Sequence, residues 1–218
     1  MTYKYIQYGC GTSCPDGWLN YDTSPRLRFE QLPGVRKILP LLGKNPLFPE
    51  RVRLGDIVKG LPVPAESAKA VYCSHVLEHL DRASLEVALR NTIKMLKPGG
   101  VFRLVVPDLE WRVRKFIEMI DAGKVDANDW FMRSSHLGEA KPLLGLTGRT
   151  VAAFGNSKHR WMWHQDSMAK MLLQAGFVAV RRCGFGDAED NMFALVESKE
   201  RFEDTGYFEL AMEAVRPM

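Results

Sequence analysis

The stretch YIQYGCGTSCPDGWLNYDTSP, residues 5–25, decides how the fold is read. It opens with an apolar run, is broken by Gly9 and Gly11, and reaches Asp22 eleven positions after the second glycine. A glycine directly after a strand lets the backbone pass close to a ligand and take angles closed to other residues. A carboxylate at the tip of the next strand can accept both hydroxyls of a ribose. Dinucleotide-binding folds place three glycines here, with an acid about 20 residues further on. Here the turn after the first strand has two glycines, Gly9 and Gly11, and about half that gap, so a helix whose N-terminus would hold a pyrophosphate does not fit. The spacing argues against NAD or FAD. It leaves either a nucleoside ligand without phosphate, or a plain strand, turn and strand in which Asp22-Thr-Ser-Pro closes an Asx turn.

Outward from this stretch, β-rich apolar runs alternate with helical periodicity, the pattern of a parallel sheet covered by helices. Strands are predicted near 4–9, 18–22, 51–55, 70–74, 101–106, 178–184 and 206–215. RASLEVALRNTIKMLK reads as a helix stopped by Pro98-Gly99-Gly100, and VFRLVVPDL after it as a central strand buried on both faces. DSMAKMLLQAGF repeats the grammar, with Asp166 or Ser167 as N-cap, Gly176 as stop and VAVRRCGF as the next strand. Two segments break the alternation. Residues 23–50 hold five prolines and a short helix around GVRKILPLLG, and residues 110–165 begin with an amphipathic helix and continue as an aromatic, glycine-bearing stretch. The second is long for a connection and is expected to be a cap within a single domain spanning 1–218.

Composition sets the outer bounds. Of 218 residues, 46% are hydrophobic and 26% charged, enough for a substantial core and without a disorder signature. No apolar run approaches the roughly 18 residues of a membrane span, and the start lacks a signal-peptide pattern, so a cytoplasmic protein is expected. The cysteines Cys10, Cys14, Cys73 and Cys183 have no Cys-x-x-Cys spacing and read as reduced thiols. A net charge of +4 shows no concentrated basic stripe. RLR at 26–28 and RVRK at 112–115 read as solvated helix faces.

The other strand ends converge with the opening one. VRLGDI puts Asp56 at the end of the third strand, and AVYCSHVLEHL closes the fourth with Ser74 and His75. In open α/β sheets ligands bind at that carboxyl edge. The ordered set YGCG, NYD, GDI, SHVLEHLD, LKPGGVFRLVVPDL and LLQAGF resembles the class I S-adenosylmethionine-dependent methyltransferases, in particular the small bacterial type 11 group, over residues 4–110 and 159–217. The resemblance implies a doubly wound, seven-stranded Rossmann-like sheet whose last strand, YFELAMEAV, runs antiparallel beside the fifth. It implies S-adenosyl-L-methionine as cofactor, with Gly9, Cys10 and Gly11 beside its methionine part and Asp22 on the ribose. Asp56 and Ile57 would border the adenine, and Ser74, His75 and Val76 would face the sulfonium. The chain departs from the pattern in three places: Gln7 or Tyr8 stands for the acid before the first glycine, the third glycine is missing, and Lys69 replaces the acid ahead of the fourth strand.

The histidines remain. HVLEH matches the inverted zinc-peptidase motif H-x-x-E-H, with His75 and His79 as ligands beside Glu78. No third ligand is legible for that reading. The segment also resembles the Glu-x-x-Glu-His version that holds a divalent metal in ubiquinone-pathway and small-RNA methyltransferases, with His75 in place of the first glutamate. No metal ligand is assigned, and Glu78 with His79 reads as orienting the neighbouring loop. NSKHRWMWHQDS gathers His159, His164, Trp161 and Trp163 where the insertion rejoins the sheet, which suits either a substrate pocket or closure of the insertion onto the core. Methyl transfer by direct displacement needs alignment and dryness rather than a covalent residue. A hydroxyl acceptor adds the need for a base, and His159 or His75 is the candidate. His136 reads as surface and Trp18 as packed beneath the second strand. The expected activity is methylation of a small-molecule or sugar-containing acceptor. A non-catalytic binding module is the rival, separable by cofactor calorimetry. A nucleic-acid methyltransferase is weakened by the mild charge and by the lack of an Asn-Pro-Pro-Tyr or Asp-Pro-Pro-Tyr tetrad.

Overall fold

Period-2 burial organises the sheet. Tyr5 and Ile6 are neighbours in sequence, yet Ile6 packs with Val71, Cys73 and Leu104 on one face while Tyr5 packs with Ala70, Tyr72 and Val105 on the other. The structure, a computed structural model, describes residues 5–42, 46–138, 158–204 and 206–218. Its strands are β1 (Tyr5–Tyr8), β2 (Leu19–Asp22), β3 (Arg53–Leu54), β4 (Ala68–Ser74), β5 (Leu96–Pro107), β6 (Val178–Arg182), the two-residue β7 (Glu203–Asp204) and β8 (Tyr207–Val215). The main sheet runs β3-β2-β1-β4-β5-β8-β6, with β7 paired to the start of β8. The first five strands are mutually parallel, whereas β8 lies antiparallel to both β5 and β6. All seven expected strands are present, and the last takes the antiparallel place between the fifth and sixth.

The helices are α1 (Pro25–Glu30), α2 (Val35–Leu42), α3 (Arg82–Met95), α4 (Leu109–Asp121), α5 (Ala127–Ser134), α6 (Gln165–Gln174) and the single turn α7 (Lys199–Phe202). One sheet face is covered by α3, through Leu85, Ala88 and Leu89, and by α6, through Met168, Met171 and Leu172. Asp81 caps α3, its carboxylate accepting from Ser84 N–H at 2.9 Å. The N-cap of α6 is His164, not Asp166 or Ser167. Ser167 sits in the first turn, where its hydroxyl accepts from His164 N–H at 3.1 Å. That reciprocal bond satisfies the chain entering the helix and moves the helix start to Gln165.

The opposite face is covered by a strap, residues 184–202, which carries Phe193, Val196 and Phe202 onto the sheet. Trp18 belongs to this layer, with its ring 5.3 Å from Tyr5 and 5.7 Å from Phe193, and its indole N–H donates to the Met192 carbonyl at 3.1 Å. Arg103, in the middle of β5, is 1% exposed and fastens the strap. It donates to Glu197 at 2.8 Å, Asp187 at 2.9 Å, Glu213 at 2.6 Å and the Gly184 carbonyl at 3.0 Å. Burial opposes its charge, yet these partners hold the guanidinium above its ordinary pKa.

The RVRK cluster is not a uniformly solvated face. Arg112 is buried, pairing with both oxygens of Glu209 on β8 at 2.9 and 3.0 Å and donating to the Ser134 carbonyl at 3.1 Å. The bidentate geometry makes this buried charge tolerable and fixes the end of α5 against the sheet. The free thiols are as expected, with no disulfide among them. Part of the expected 110–165 cap, residues 139–157, lies outside the described residues. Among the described residues no helix is long and apolar enough to cross a membrane.

Candidate functional site

Because β1, β2, β3 and β4 are parallel and in register, their carboxyl ends open on one edge. A cavity of about 710 Å³ lies there. Gly9, Cys10, Gly11, Asp22, Asp56, Ile57, Ser74, His75 and Val76 all line it. The loop between β1 and β2 contains no helix and is tied down by a bond from Cys10 N–H to the Tyr21 carbonyl at 3.1 Å. Gly9 has φ +65°, and a Cβ there would stand 2.1 Å from Val76 Cγ2. The glycine thus lets the first loop pass directly against the end of β4. Gly11 has φ +54° but open space where its side chain would be.

Asp22 is nearly buried, and each carboxylate oxygen accepts one backbone bond, from Gly11 N–H at 2.8 Å and from Ser24 N–H at 2.7 Å. The second bond is the Asx turn read from the sequence. The first joins the acid to the glycine loop. Each oxygen keeps further acceptor capacity toward the cavity. Asp56 caps its own turn, accepting from Val58 N–H at 3.0 Å.

His75 occupies the junction after β4 with φ +54°, a left-handed conformation rare for a non-glycine residue. Its N–H donates to the Val105 carbonyl at 2.9 Å, and its ring Nε2 donates to the Arg201 carbonyl at 3.2 Å. Burial works against a charged ring, but the neighbouring Glu78 carboxylate outweighs it and raises the His75 pKa.

A second cavity, of about 600 Å³, adjoins the first, and His75, His79 and Arg201 line both. Its walls include Glu78 and His79 from the 3-10 turn Leu77–His79, Ser134 at the end of α5, His136 beyond it, His159, and Glu209 of β8. His159 is pinned there by its neighbours: Arg160 and Trp161 N–H groups both donate to the Glu78 carbonyl, at 2.7 and 3.2 Å. Its ring centroid lies 5.3 Å from that of His79 and 4.8 Å from that of His136. Burial pushes its pKa down to about 4, so the ring is neutral at pH 7. His136 is exposed, as read, but its ring faces His159 in this cavity. Trp163 is buried in the core and Trp161 is largely exposed, while His164 caps α6.

The strap was missing from the sequence reading. Leu195, Val196, Glu197, Ser198 and Arg201 line the first cavity, and no motif announces them. Arg103 in an otherwise apolar central strand was the available signal, since a buried cation requires carboxylates brought from elsewhere.

The first cavity suits an adenosyl amino acid on its own chemistry. Gln7 Oε1 and Ser74 Oγ line it buried and without well-aligned protein partners, and Asp22 offers acceptors where hydroxyls would need them. The methyltransferase-domain family model matches residues 14–181, and the chain belongs to that family. It is a class I S-adenosylmethionine-dependent methyltransferase. No curated protein is similar enough to count as a match. Among solved structures, it resembles a chain from the complex of the Haloferax volcanii Trm112 methyltransferase activator with a methyltransferase. The TM-score is 0.50 at 15% identity, over 100% of this chain and 84% of the other. A SAM-dependent methyltransferase from Archaeoglobus fulgidus gives 0.50 at 14%, over 98% and 86%. At these identities the likeness speaks to the fold alone.

Proposed function

We propose that the chain methylates a small-molecule or sugar-containing acceptor held in the second cavity, with S-adenosyl-L-methionine in the first. The observation that carries this reading is the junction of the two cavities at His75, His79 and Arg201. The cofactor, when bound, supplies a methyl group already activated on a sulfonium. The residues Gly9, Cys10, Gly11, Asp22, Asp56, Ile57, Ser74, His75 and Val76 hold it. The protein's remaining task is to align an acceptor and exclude water. A cavity of about 600 Å³ fits a small acceptor in size.

For a hydroxyl acceptor, His159 or His75 is the base. His159 is neutral at pH 7 and therefore has a lone pair to offer, whereas the raised pKa of His75 favours its charged form. The described residues of the segment 110–165 form the acceptor-side cap of a single domain, a role supported by Arg133, Ser134, His136 and His159 in the cavity wall.

Incubation with methyl-labelled S-adenosylmethionine and a fractionated cell extract tests the proposal. Label should enter the low-mass fraction. Label confined to nucleic acid or protein overturns the acceptor class.

A further inference from the structure

We propose that the α1–α2 segment between β2 and β3 docks this protein on an anionic lipid surface. The starting observation is where the charge lies. Residues 23–44 carry Arg26, Arg28, Arg36, Lys37 and Lys44 against Glu30 alone, a net charge of +4 that equals the whole chain's +4. The remaining residues therefore carry no net charge. The mild overall charge, which as a total shows no basic stripe, is gathered in one short segment.

The fold decides which of these cations are committed. Glu30 is fully buried and meets two of them, Arg26 Nε at 2.9 Å and Arg36 Nη1 at 3.5 Å, while Phe48 N–H donates to the same carboxylate at 2.9 Å. Arg26 also donates to the Pro46 carbonyl and Arg36 to the Phe48 carbonyl, each at 2.7 Å. These bonds tie both helices to the chain that leads into β3. Arg28 and Lys37 differ: both are exposed, and among the described residues neither has an ion pair.

Apolar side chains stand among them. α1 turns Leu27 and Glu30 inward, which leaves Arg28 and Phe29 outward. The turn from α1 to α2 is closed by bonds from Leu32 N–H to the Phe29 carbonyl at 3.1 Å and from Val35 N–H to the Leu32 carbonyl at 3.2 Å. Phe29, Leu32 and Ile38 are 44%, 52% and 54% exposed. Single exposed apolar residues are ordinary, but three in so short a stretch mark a contact surface. Leu32 and Lys37 also share the wall of a cavity of about 400 Å³, where Glu50 is the one exposed acid.

Exposed cations interleaved with aliphatic and aromatic side chains suit a surface that presents negative charge over an apolar layer, as an anionic bilayer does. Such docking needs no spanning helix. A nucleic acid would reward the cations but offers nothing to Leu32 and Ile38. A second copy would bring Arg28 and Lys37 against their own equivalents, and like charges across an interface repel. Thr23, Ser24 and Pro25, which lead into α1, line the first cavity, so the docked surface lies beside that edge of the sheet. The docking does not depend on the acceptor assigned above.

Flotation of the untagged full chain tests this with two kinds of vesicle, phosphatidylcholine alone and phosphatidylcholine with an equal share of phosphatidylglycerol. The protein should float with the anionic vesicles only, and raising the salt should release it. Arg28→Gln with Lys37→Gln should lower the partition about 30-fold, roughly fivefold for each cation lost. Leu32→Asn with Ile38→Asn should lower it by roughly tenfold or more. S-adenosylhomocysteine binding by the same samples verifies that each variant is folded, and separates a failed docking surface from a failed methyltransferase reading. No flotation by the wild type, equal flotation with both kinds of vesicle, or flotation unchanged in either variant overturns the proposal. So does duplex DNA that displaces the protein from the vesicles at the same salt, or a dimer in analytical ultracentrifugation that the Leu32 and Ile38 changes dissociate.

Discussion

The two cavities that meet at His75 are built by different means. The first draws on consecutive strand ends, and the order of β1, β2, β3 and β4 in the chain places Gly9, Asp22, Asp56 and Ser74 side by side. The second is assembled from side chains far apart in sequence, with Glu78, His136, His159 and Glu209 brought together by buried pairs and loop hydrogen bonds. A site of the first kind follows from topology. The second depends on each pairing separately.

The largest expected effect lies in the strap, which has the second kind of construction but serves the first cavity. Arg103→Met removes the cation shared by Glu197, Asp187 and Glu213 and leaves buried carboxylate behind. Urea unfolding should show a loss of about 3–5 kcal/mol, the range for breaking a buried pair from one side. A loss near zero would mean that apolar contacts of Phe193 and Val196 hold the strap unaided.

Next in size is Asp22→Ala, which removes the acceptors at the tip of β2. Affinity for S-adenosylhomocysteine should fall by about 1.5–3 kcal/mol in calorimetry, as for a hydrogen bond to a charged group. Asp16→Ala should leave it unchanged, because Asp16 pairs with Arg51 on the surface outside the cavity. Equal behaviour of the two variants would reduce Asp22 to turn chemistry.

The glycines sharpen the same contrast at smaller scale. At Gly9 a methyl group meets Val76 as well as a left-handed backbone, so Gly9→Ala should cost about 2–3 kcal/mol of stability. Gly11→Ala, with the backbone penalty alone, should cost about 1–2 kcal/mol. Denaturant midpoints of the pair measure the difference, and equal losses would deny the close approach of β1 and β4.

Smallest is the pH dependence of the strap. Burial would raise the Asp190 pKa, but Lys69, the Met192 N–H and Tyr5 together lower it in the folded state. Its contribution to stability is therefore present above the unfolded value of about 3.9 and lost as pH falls below it. Asp190→Asn should flatten the acid limb of a stability profile below about pH 4. An unaltered acid limb would leave Asp190 without a part in it.

What was legible follows the same division. Alternation and stop signals announced every strand of the main sheet, because burial on a sheet leaves a local period in the sequence. The residues at the strand ends were legible for the same reason. Arg112 was read as solvated because its neighbours Arg114 and Lys115 are, and nothing local reveals a partner 97 positions away. His159 was singled out for its aromatic setting. Its approach to Glu78 depends on bonds from Arg160 and Trp161 that no spacing encodes. The cap of α6 moved to His164 because Ser167 bonds backward, a choice between near-equal capping options.

The central claim is that the carboxyl edge of this sheet holds an adenosyl amino acid and not a dinucleotide. Melting temperature measured with saturating S-adenosylhomocysteine and, separately, with NAD tests it directly. The account predicts a clear rise with S-adenosylhomocysteine and none with NAD, since the loop after β1 offers no helix N-terminus for a pyrophosphate. Equal shifts from both ligands, or none from either, would contradict it.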